Sequence, residues 1–538
     1  QRSAVTAADG PVMVVAGPGS GKTRVLTQRI AYLIAHEGVR PWQILAVTFT
    51  NKAAKEMDER VKSILNEQAT EGMMLGTFHS ICARILRREA EHLPVAQNFV
   101  IFDADDQQSL VKSIIREMNL NDKLYRANSV HASISRAKNE LILPDDYPIN
   151  TYRDEVVKRV YTEYQKRLIA SNAVDFDDIL VYATQLMENN PTVREKYAQR
   201  FRHVLVDEFQ DTNLAQYALV KHLASYHKNI FCVGDPDQSI YAWRGADYRN
   251  IRKFEQDFPT SQVILLEQNY RSHQNILDVA MGVIDRASNR RKKRLFSDRG
   301  AGEKIFFYEA RDDYGEASFV VDTIAQLVAS GDFEPKDCAV MYRTNAMSRL
   351  LEEAFLQARL PYKLVGAQRF YGRREVKDII AFIRLAHNPA DEAALSRVIN
   401  VPPRGIGEKT LTTLHMVARQ NDTNAGFVLL NLAHGAESNF YKSFTGRAAL
   451  PLADFGGMLA NWHSLSKTAT VAELFDKIVR DINYKEHIVE DDSEESADRW
   501  ENVQELKRLA LEYDTRTIDD FLENVALIAD QDTLTDAN

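Results

Sequence analysis

The sequence is poor in cysteine and contains no long apolar segment. Its 3 cysteines, Cys82, Cys232 and Cys338, lie far apart and form no C-x-x-C pair. This spacing does not support a zinc ribbon, an iron–sulfur cluster or a disulfide framework. No stretch approaches the roughly 18 apolar residues of a membrane helix, and the first residues lack the charged-then-apolar order of a secretory signal. We therefore expect a cytoplasmic protein that does not act in a membrane.

An excess of basic residues is also absent. The 538 residues include 67 lysines and arginines against 76 aspartates and glutamates, a formal net charge of -9. Such a balance argues weakly against wrapping nucleic acid around the whole molecule, but it permits a basic track along one cleft. The length predicts about three or four domains.

What the sequence does contain is a glycine-rich loop directly after an apolar run. Residues 16–23 read Ala16-Gly17-Pro18-Gly19-Ser20-Gly21-Lys22-Thr23. In such a loop backbone N–H groups surround a polyphosphate, the lysine reaches the outer phosphates and the threonine hydroxyl binds Mg²⁺. The strict pattern has glycine where Ala16 stands, so this is a relaxed form. An apolar helical face begins at Lys22, which gives the strand, loop and helix order of a nucleotide-binding loop.

An acidic pair follows a second apolar run, Val204 to Val206. In a nucleotide hydrolase Asp207 would hold Mg²⁺ through water and Glu208 would polarise the attacking water. Alone, such a pair is as often a surface feature. Together with the glycine-rich loop, it indicates nucleotide hydrolysis.

Strand-like and helix-like runs alternate along much of the chain, which predicts an α/β fold. Short apolar runs at 12–16, 44–49, 204–206, 230–234 and 263–266 are each followed by a helical pattern. This order is typical of a parallel sheet with helices on both faces. Further strand-like runs at 305–308, 339–342 and 362–365 predict a second α/β unit, and the sequence after about residue 375 is helical in pattern.

The run Val206 to Asn213 resembles motif II of superfamily 1 helicases of the UvrD, PcrA and Rep family. Other motifs of that family have counterparts in order: Gln1-Arg2 (Q motif), 46–54 (Ia), 76–80 (Ib), 233–246 reading VGDPDQSIYAWRGA (III) and 266–272 reading LEQNYRS (IV). The likeness covers nearly the whole chain. It implies two RecA-like P-loop NTPase cores, each with a mainly helical inserted domain. The expected domains are 1–98 with 175–262 (first core), 99–174 (first insertion), 263–374 (N-terminal segment of the second core) and 375–538 (second insertion).

The resemblance also implies an ATP site. Gln1 would read the adenine edge, Tyr270 would stack on the adenine, and Gln238 and Arg271 would approach the γ-phosphate. Arg24 is a further candidate, although a solvated surface arginine is an equally good interpretation. The predicted nucleotide-binding residues are Gln1, Ala16, Gly17, Pro18, Gly19, Ser20, Gly21, Lys22, Thr23, Arg24, Tyr270 and Arg271. The predicted catalytic residues are Lys22, Asp207, Glu208, Gln238 and Arg271, with Thr23 and Asp207 as ligands of Mg²⁺.

A DNA track is predicted from aromatic and glycine-rich segments. Tyr241 and Trp243 offer ring faces for bases, worth about 1–3 kcal/mol per stacked base, unless they are core aromatics. The resemblance adds Phe49, Asn51, His79 and Arg244. The segment Gly405-Ile406-Gly407, after Arg404, resembles a helix-hairpin-helix turn that grips a phosphate, although it could simply end a helix.

Two charged stretches are less specific. The basic run 290–294 is either a solvated face or a phosphate contact. We interpret Asp175-Phe176-Asp177-Asp178 as structural, with no metal role.

The resemblance thus implies an ATP- and Mg²⁺-dependent DNA helicase and translocase. It would act on single-stranded DNA and single/double-strand junctions, moving 3′ to 5′, in repair or replication restart, with other repair proteins as candidate partners. No counterpart of a THxxKGLE-like motif V or of the motif VI arginine occurs before Asn538. We therefore expect the C-terminal part of the family to be missing and ATP hydrolysis to be weak, since such an arginine is worth about 10³–10⁵ in rate. Three alternatives remain: a non-hydrolysing DNA-binding fragment, the helicase part of a RecB/AddA-type helicase-nuclease, and a small-molecule kinase.

Overall fold

The structure is a computed structural model that describes residues 1–240, 249–287, 293–343, 347–364, 373–444, 446–488 and 494–533. The strands in these residues are β1 (Val12–Ala16), β2 (Ile44–Thr48), β3 (Met74–Thr77), β4 (Val100–Phe102), β5 (Ala173–Asp175), β6 (His203–Val206), β7 (Ile230–Gly234) and β8 (Gln262–Leu266).

Helices connect these strands and make up most of the second half. Up to residue 284 they are α1 (Arg2–Val5), α2 (Lys22–Ala35), α3 (Asn51–Leu65), α4 (Phe78–Arg88), α5 (Ala104–Glu117), α6 (Ala127–Asn139), α7 (Tyr152–Ala170), α8 (Phe176–Asn189), α9 (Pro191–Arg200), α10 (Leu214–Leu223), α11 (Asn250–Asp257) and α12 (Gln274–Ile284). The remainder are α13 (Asp313–Ala329), α14 (Ser348–Gln357), α15 (Arg374–His387), α16 (Glu392–Val398), α17 (Glu408–Gln420), α18 (Ala425–Leu432), α19 (Gly446–Leu465), α20 (Val471–Asp481), α21 (Tyr484–Ile488), α22 (Glu494–Leu511) and α23 (Ile518–Thr533).

A parallel sheet of six strands lies at the centre of the first half. Its strand order is β3-β2-β6-β7-β1-β8, and every neighbouring pair is parallel. Alternate residues of β1 belong to two different apolar clusters, Met13 and Val15 to one and Val12 and Val14 to the other. Because successive side chains of a strand point to opposite faces, helices cover both faces of the sheet. The predicted α/β fold with a parallel sheet is confirmed.

The strand β8 corrects one predicted boundary. It pairs with β1 from Gln262 to Leu266 and forms an edge of the first sheet, whereas the sequence analysis began the second core at residue 263. That boundary therefore cuts through a strand of the first sheet. The apolar run at 263–266 predicts a strand correctly, but a run of this kind carries no information about which sheet receives it.

The strands predicted for the second core are not observed in the described residues. Residues 305–308, 339–342 and 362–364 carry no paired strand, and residue 365 lies outside the described range. Large apolar side chains in these segments are exposed, including Phe307 at 85% and Met341 at 94%. An apolar run becomes a strand only when a neighbouring strand accepts its hydrogen bonds. Here α12, α13 and α14 provide the regular structure.

Two helical units accompany the sheet. Helices α5, α6 and α7 enclose an apolar cluster that includes Val111 and Tyr161, next to the separate parallel pair β4 and β5. Helices α15 to α23 share another cluster around Phe382 and Trp462. No described helix is both long enough and apolar enough to cross a lipid bilayer.

Candidate nucleotide site and nucleic-acid interface

The candidate site residues follow the carboxyl ends of the parallel strands and therefore lie along one edge of the sheet. Reading across it, His79 follows β3, Phe49 and Asn51 follow β2, and Asp207 and Glu208 follow β6. Gln238 then follows β7, the glycine-rich loop follows β1, and Tyr270 and Arg271 follow β8. Ligands of open α/β sheets bind at this edge. With about 4.8 Å between strands, β1 and β3 are about 19 Å apart.

The loop between β1 and α2 has a backbone that favours glycine at two positions, Gly19 and Gly21, and its Gly17 lies close to a neighbouring side chain. A Cβ at Gly17 would lie 2.3 Å from Leu295 Cδ2, and Gly19 and Gly21 have φ of +65° and +85°. Glycine adopts this left-handed backbone without the Cβ collision of other residues. The Ser20 hydroxyl donates to the Gly17 carbonyl over 2.7 Å, which holds the loop closed. The backbone thus has the turned shape that phosphate binding requires.

Lys22, Glu208 and Gln238 are brought into direct contact. Lys22 Nζ lies 2.7 Å from Glu208 Oε2 and 3.3 Å from Gln238 Oε1. Glu208 has a left-handed φ of +47°, which is unusual for a residue with a side chain. A strained backbone therefore holds this carboxylate facing the lysine. The Glu208 carboxylate therefore neutralises the Lys22 ammonium.

Asp207 is almost fully enclosed beside Glu208. Burial, followed by the neighbouring Glu208 carboxylate, raises the pKa of Asp207 to about 7, and the Lys22 ammonium partly opposes this. A buried carboxylate with a raised pKa is relieved by a nearby cation. Carboxylate and hydroxyl oxygens are ligands that Mg²⁺ accepts, so Asp207 and Thr23 fit the predicted metal role in chemical type.

Gln210 and Lys293 make contacts in this site that the sequence analysis did not predict. The Gln210 amide donates to Glu208 Oε2 over 2.9 Å, and its oxygen accepts from the Asp235 N–H over 2.9 Å. Lys293, a member of the basic run, is buried and paired with Asp235 and Asp237. Its ammonium therefore serves a contact within the protein. Arg290, Arg291 and Lys292 lie outside the described residues.

The segment after β8 donates hydrogen bonds to backbone carbonyls of the glycine-rich loop. The Asn269 amide donates to the Pro18 carbonyl over 2.6 Å, and the Tyr270 N–H donates to the Gly19 carbonyl over 2.9 Å. Asn269 Oδ1 also accepts the Arg271 N–H. This network orders a turn from which the Tyr270 and Arg271 side chains extend, both exposed.

Gln1 and Arg24 lie on the other side of the loop. The Gln1 side chain donates to the Ser20 carbonyl over 2.7 Å and approaches Gly21, so it adjoins the loop. Arg24 is exposed on the first turn of α2.

The candidate DNA residues at the other end of the sheet edge differ in exposure. Phe49, Asn51 and His79 are half-buried. The Asn51 amide nitrogen is enclosed without a hydrogen-bond partner among the described residues. The His79 ring meets the edge of Phe176, with ring centres 5.8 Å apart. Tyr241, Trp243 and Arg244 lie outside the described residues.

Comparison with protein families covers both halves of the chain. Residues 1–259 match the UvrD/REP helicase N-terminal domain, and residues 264–538 match the UvrD-like helicase C-terminal domain. The chain belongs to the UvrD/Rep helicase family. The predicted enzyme class, an ATP-dependent DNA helicase, is confirmed. The expectation that the family's C-terminal part is missing is corrected to this extent: residues 264–538 belong to that C-terminal domain.

Individual relatives of this UvrD/Rep helicase are described as helicases as well. A protein of Bacillus subtilis (strain 168) described as ATP-dependent DNA helicase PcrA is 43% identical over 540 residues, covering 99% of the chain and 72% of the relative. Proteins with the same description from Leuconostoc citreum and Staphylococcus aureus (strain Mu50) are 41% and 40% identical. Each alignment covers 99% of the chain, with 72% and 73% of the respective relative.

The helix-hairpin-helix-like turn of this UvrD/Rep helicase is stabilised by a buried side chain and by hydrogen bonds within the protein. Ile406 is only 4% exposed, and Asn400 binds both its N–H and its carbonyl, at 3.2 and 2.6 Å. The predicted DNA contact is therefore corrected at Ile406, whose side chain packs in the core and whose N–H is already used. Gly405 and Gly407 are exposed, with no atom within 4 Å of a Cβ built at either position.

Arg404 also points into the protein. Its Nη1 donates to the carbonyls of Val398, Ile399 and Val401 at 2.9 to 3.0 Å. The guanidinium carbon lies 4.8 Å from the ring centre of Phe455, and burial lowers the pKa of Arg404 to about 10. Arg404 therefore shapes the end of α16, while the following glycines remain at the surface.

Proposed function

We propose that this helicase uses ATP hydrolysis to move along single-stranded DNA from 3′ to 5′ and to separate duplex at single/double-strand junctions. The observation that carries the proposal is the shared sheet edge. The nucleotide loop lies at its β1 end and the candidate DNA residues Phe49, Asn51 and His79 at its β3 end. Asp207 and Glu208 lie between them, so a change at the phosphates reaches the DNA side through one rigid layer.

The chemistry proposed for the nucleotide end follows from the charges present. Lys22 would exchange Glu208 for the outer phosphates of ATP, which frees the Glu208 carboxylate to orient and polarise a water molecule. Gln238 is within reach of Lys22 and would sense the same phosphate. Thr23 and Asp207 would hold Mg²⁺, which supplies charge neutralisation at the phosphates. Tyr270 and Arg271 would contact the base and the γ-phosphate.

We assign the proposed role to DNA repair or replication restart in the cytoplasm, with other repair proteins as partners. This assignment and the 3′ to 5′ direction rest on the family resemblance. The relatives' description as ATP-dependent DNA helicases supports the use of ATP and DNA. The buried thiols of Cys82 and Cys232 agree with a reducing compartment.

The decisive experiment compares duplexes that carry a single-stranded 3′ or 5′ tail, using the full-length protein. We expect ATP-dependent unwinding of the 3′-tailed duplex and its loss in Lys22→Ala. The exposed Lys112→Ala variant, which removes a lysine on α5, serves as the control and should unwind normally. A preference for the 5′ tail would contradict the proposed direction.

Other outcomes would select a different function. DNA-stimulated ATPase without unwinding would indicate a translocase only. DNA binding without hydrolysis would indicate a DNA-binding module, and degradation of the strands would indicate a helicase-nuclease.

A further inference from the structure

The loop after β6 does not end at its carboxylates but continues into a buried polar segment. Phe209, Gln210, Asp211, Thr212 and Asn213 are all buried. The Asn250 side chain from α11 donates to the Thr212 carbonyl over 2.8 Å. Asn213 Oδ1 caps α10 by accepting the Gln216 N–H over 2.8 Å. These two contacts fix the end of the segment at residues 212 and 213, and its beginning is tied to Glu208, whose Oε2 accepts from the Gln210 amide over 2.9 Å. A displacement of Glu208 would therefore reach Asn213 through Gln210.

The remaining side of Asn213 faces the helical insertion. Its amide donates to Asn139 Oδ1, at the last residue of α6. The Asn139 amide in turn donates to Asp177 Oδ1 over 2.9 Å and to the Ser135 carbonyl over 2.8 Å. Asn139 therefore joins three elements, the loop after β6, the insertion and the start of α8. We call these contacts the Asn213–Asn139–Asp177 relay.

The far end of the relay lies beneath a candidate DNA contact. Asp177 follows Phe176 on the first turn of α8, and the Phe176 ring lies edge-on to His79 at 87°. The turn is anchored because the buried Lys138 lies 2.6 Å from Asp175 Oδ2 and 2.7 Å from Asp178 Oδ1. A shift at Asp177 would therefore be transmitted to Phe176 and His79 through packed contacts rather than absorbed by a soft loop.

We propose that Asn139 is a positioning residue that couples the ATP site to the DNA face through the Asn213–Asn139–Asp177 relay. The inference rests on the proposed function and adds a residue in the helical insertion that touches neither nucleotide nor DNA. A contiguous set of contacts is a reason to look for coupling, and only a measured coupling establishes it. Because coupling is reciprocal, DNA would favour the hydrolytic arrangement of the loop, and ATP would alter the grip at His79.

The geometry allows a reciprocal exchange of donor and acceptor. With Asn139→Asp the side chain still accepts from Asn213 but presents a carboxylate to Asp177, so the relay should break. With Asp177→Asn alone, an amide oxygen still accepts from Asn139. In the double variant the amide of the substituted Asp177 can turn and donate to the carboxylate at 139, which restores both contacts.

The test measures ATPase rates of the full-length protein with and without oligo-dT. In Asn139→Ala and Asn139→Asp we expect a basal rate and ATP affinity within about twofold of wild type, but a ratio of stimulated to basal rate reduced by about fivefold or more. Asp177→Asn, alone or combined with Asn139→Asp, should keep the wild-type ratio. Gln165→Ala is the matched control. It removes an amide that donates to Asp178 and Tyr182 in the same cluster but outside the relay.

The outcomes separate the two proposals. Wild-type stimulation that persists in Asn139→Ala, or falls equally in Gln165→Ala, would overturn the relay and leave the proposed function standing. Absence of stimulation in the wild type would overturn the proposed function and the relay together. If Asn139→Ala does not fold, the double variant Asn139→Asp with Asp177→Asn provides the test. Restoration of the ratio of stimulated to basal ATPase rate, relative to Asn139→Asp alone, would support the relay, and failure to restore it would contradict the relay.

Discussion

Asp207 shows at the scale of a single residue how a buried carboxylate beside another carboxylate lowers the stability of the folded protein at neutral pH. Its pKa is raised from 3.8 to about 7 by burial and by Glu208. The folded state therefore binds the proton more tightly than the unfolded state, and stability falls as pH rises from about 4 through 7. At neutral pH and above, the free protein holds an ionised carboxylate in an unfavourable place.

We expect Asp207→Asn to stabilise the nucleotide-free protein above pH 7 by about 1–4 kcal/mol, since one pKa unit corresponds to about 1.4 kcal/mol. The gain should shrink towards pH 4, where the wild-type carboxyl is protonated. Thermal unfolding between pH 4.5 and 8 measures it, with the exposed Asp122→Asn variant as control. The same Asp207 variant should lose Mg²⁺-dependent ATPase. A loss of stability at pH 8 would contradict the argument.

Gly19 tests the shape of the phosphate loop. Its φ is +65°, and an added Cβ would lie 2.7 Å from Asn269 Nδ2 and 2.8 Å from Arg271 Cβ. Gly19→Ala should therefore displace the turn after β8, weaken nucleotide binding about tenfold or more, and cost roughly 1–2 kcal/mol of stability. Titration with a fluorescent ATP analogue and thermal unfolding measure the two effects.

The matched control is Gly282→Ala in α12, where no atom lies within 4 Å of the added Cβ. It should leave nucleotide binding unchanged and add about 0.5–1 kcal/mol, because alanine is the better helix residue. Equal binding defects in the two variants would show that the loop geometry is not the cause.

At the residue scale, the sequence allowed prediction of those residues whose type and spacing form a recognisable motif. The loop glycines, Lys22, Glu208 and Gln238 meet in the structure as the motifs require. Asn269 and Gln210 were missed as functional residues although they stand inside quoted motifs, because a supporting amide has no signature of its own. Lys293 was interpreted, with the rest of the basic run, as a solvated or phosphate-contacting residue, because its buried partner, Asp235, is 58 residues away in sequence.

Among the elements, the turn around Gly405 shows that a basic residue in a segment predicted to bind DNA can be engaged in contacts within the protein. Arg404 occupies the carbonyls at the end of α16 and stacks on Phe455. Arg404→Met should weaken DNA binding by distorting the turn, while the slope of log affinity against log salt stays the same. Removal of a direct phosphate contact would reduce that slope by about 1.

The exposed Lys409 on α17 provides the contrast, since it follows the same turn and faces solvent. Lys409→Met should reduce the salt slope if the turn binds phosphate, without lowering the melting temperature. DNA titrations at several salt concentrations distinguish the two variants. A reduced slope in Arg404→Met would mean that the guanidinium leaves its carbonyls to meet DNA.

Elements were predicted best where local pattern alone determines them. The buried strands β1, β2, β6 and β7 read as continuous apolar runs, which is typical of a parallel sheet covered on both faces. The edge strand β8 was found but assigned to the wrong unit. The runs at 305–308 and 339–342 have the same composition as strands, but strand formation depends on a neighbour that the local sequence does not encode.

For the molecule as a whole, charged contacts bind the C-terminal helices to the first half. Arg384 on α15 reaches Asp106 on α5 over 2.5 Å, and Lys377 pairs with Asp105. Arg87 on α4 lies 2.8 Å from Glu523 on α23. No local pattern predicts these pairs, because their members are hundreds of residues apart in sequence. The first two pairs join α15 to α5, and the third joins α23 to α4, the helix that carries the candidate DNA residue His79.

The Arg87–Glu523 pair makes this attachment sensitive to pH once the arginine is removed. Burial raises the pKa of Glu523 to about 7, against the lowering effect of Arg87. The docked state therefore favours the protonated carboxyl, and this contribution is present below about pH 4.5 and lost as pH rises through 7. In Arg87→Met the opposing charge is absent, so an ionised Glu523 would be buried without a partner, which is strongly unfavourable.

We expect amide hydrogen exchange in α23 of Arg87→Met to resemble wild type at pH 6, after correction for intrinsic rates, and to be about tenfold faster or more at pH 8.5. Adding Glu523→Gln should restore slow exchange at pH 8.5, because an amide carries no charge to bury. Faster exchange at both pH values in the single variant, unrelieved in the double variant, would mean that Arg87 acts through its packing on Phe99 instead. The pH dependence therefore separates charge from packing in the contact that joins the two halves of the chain.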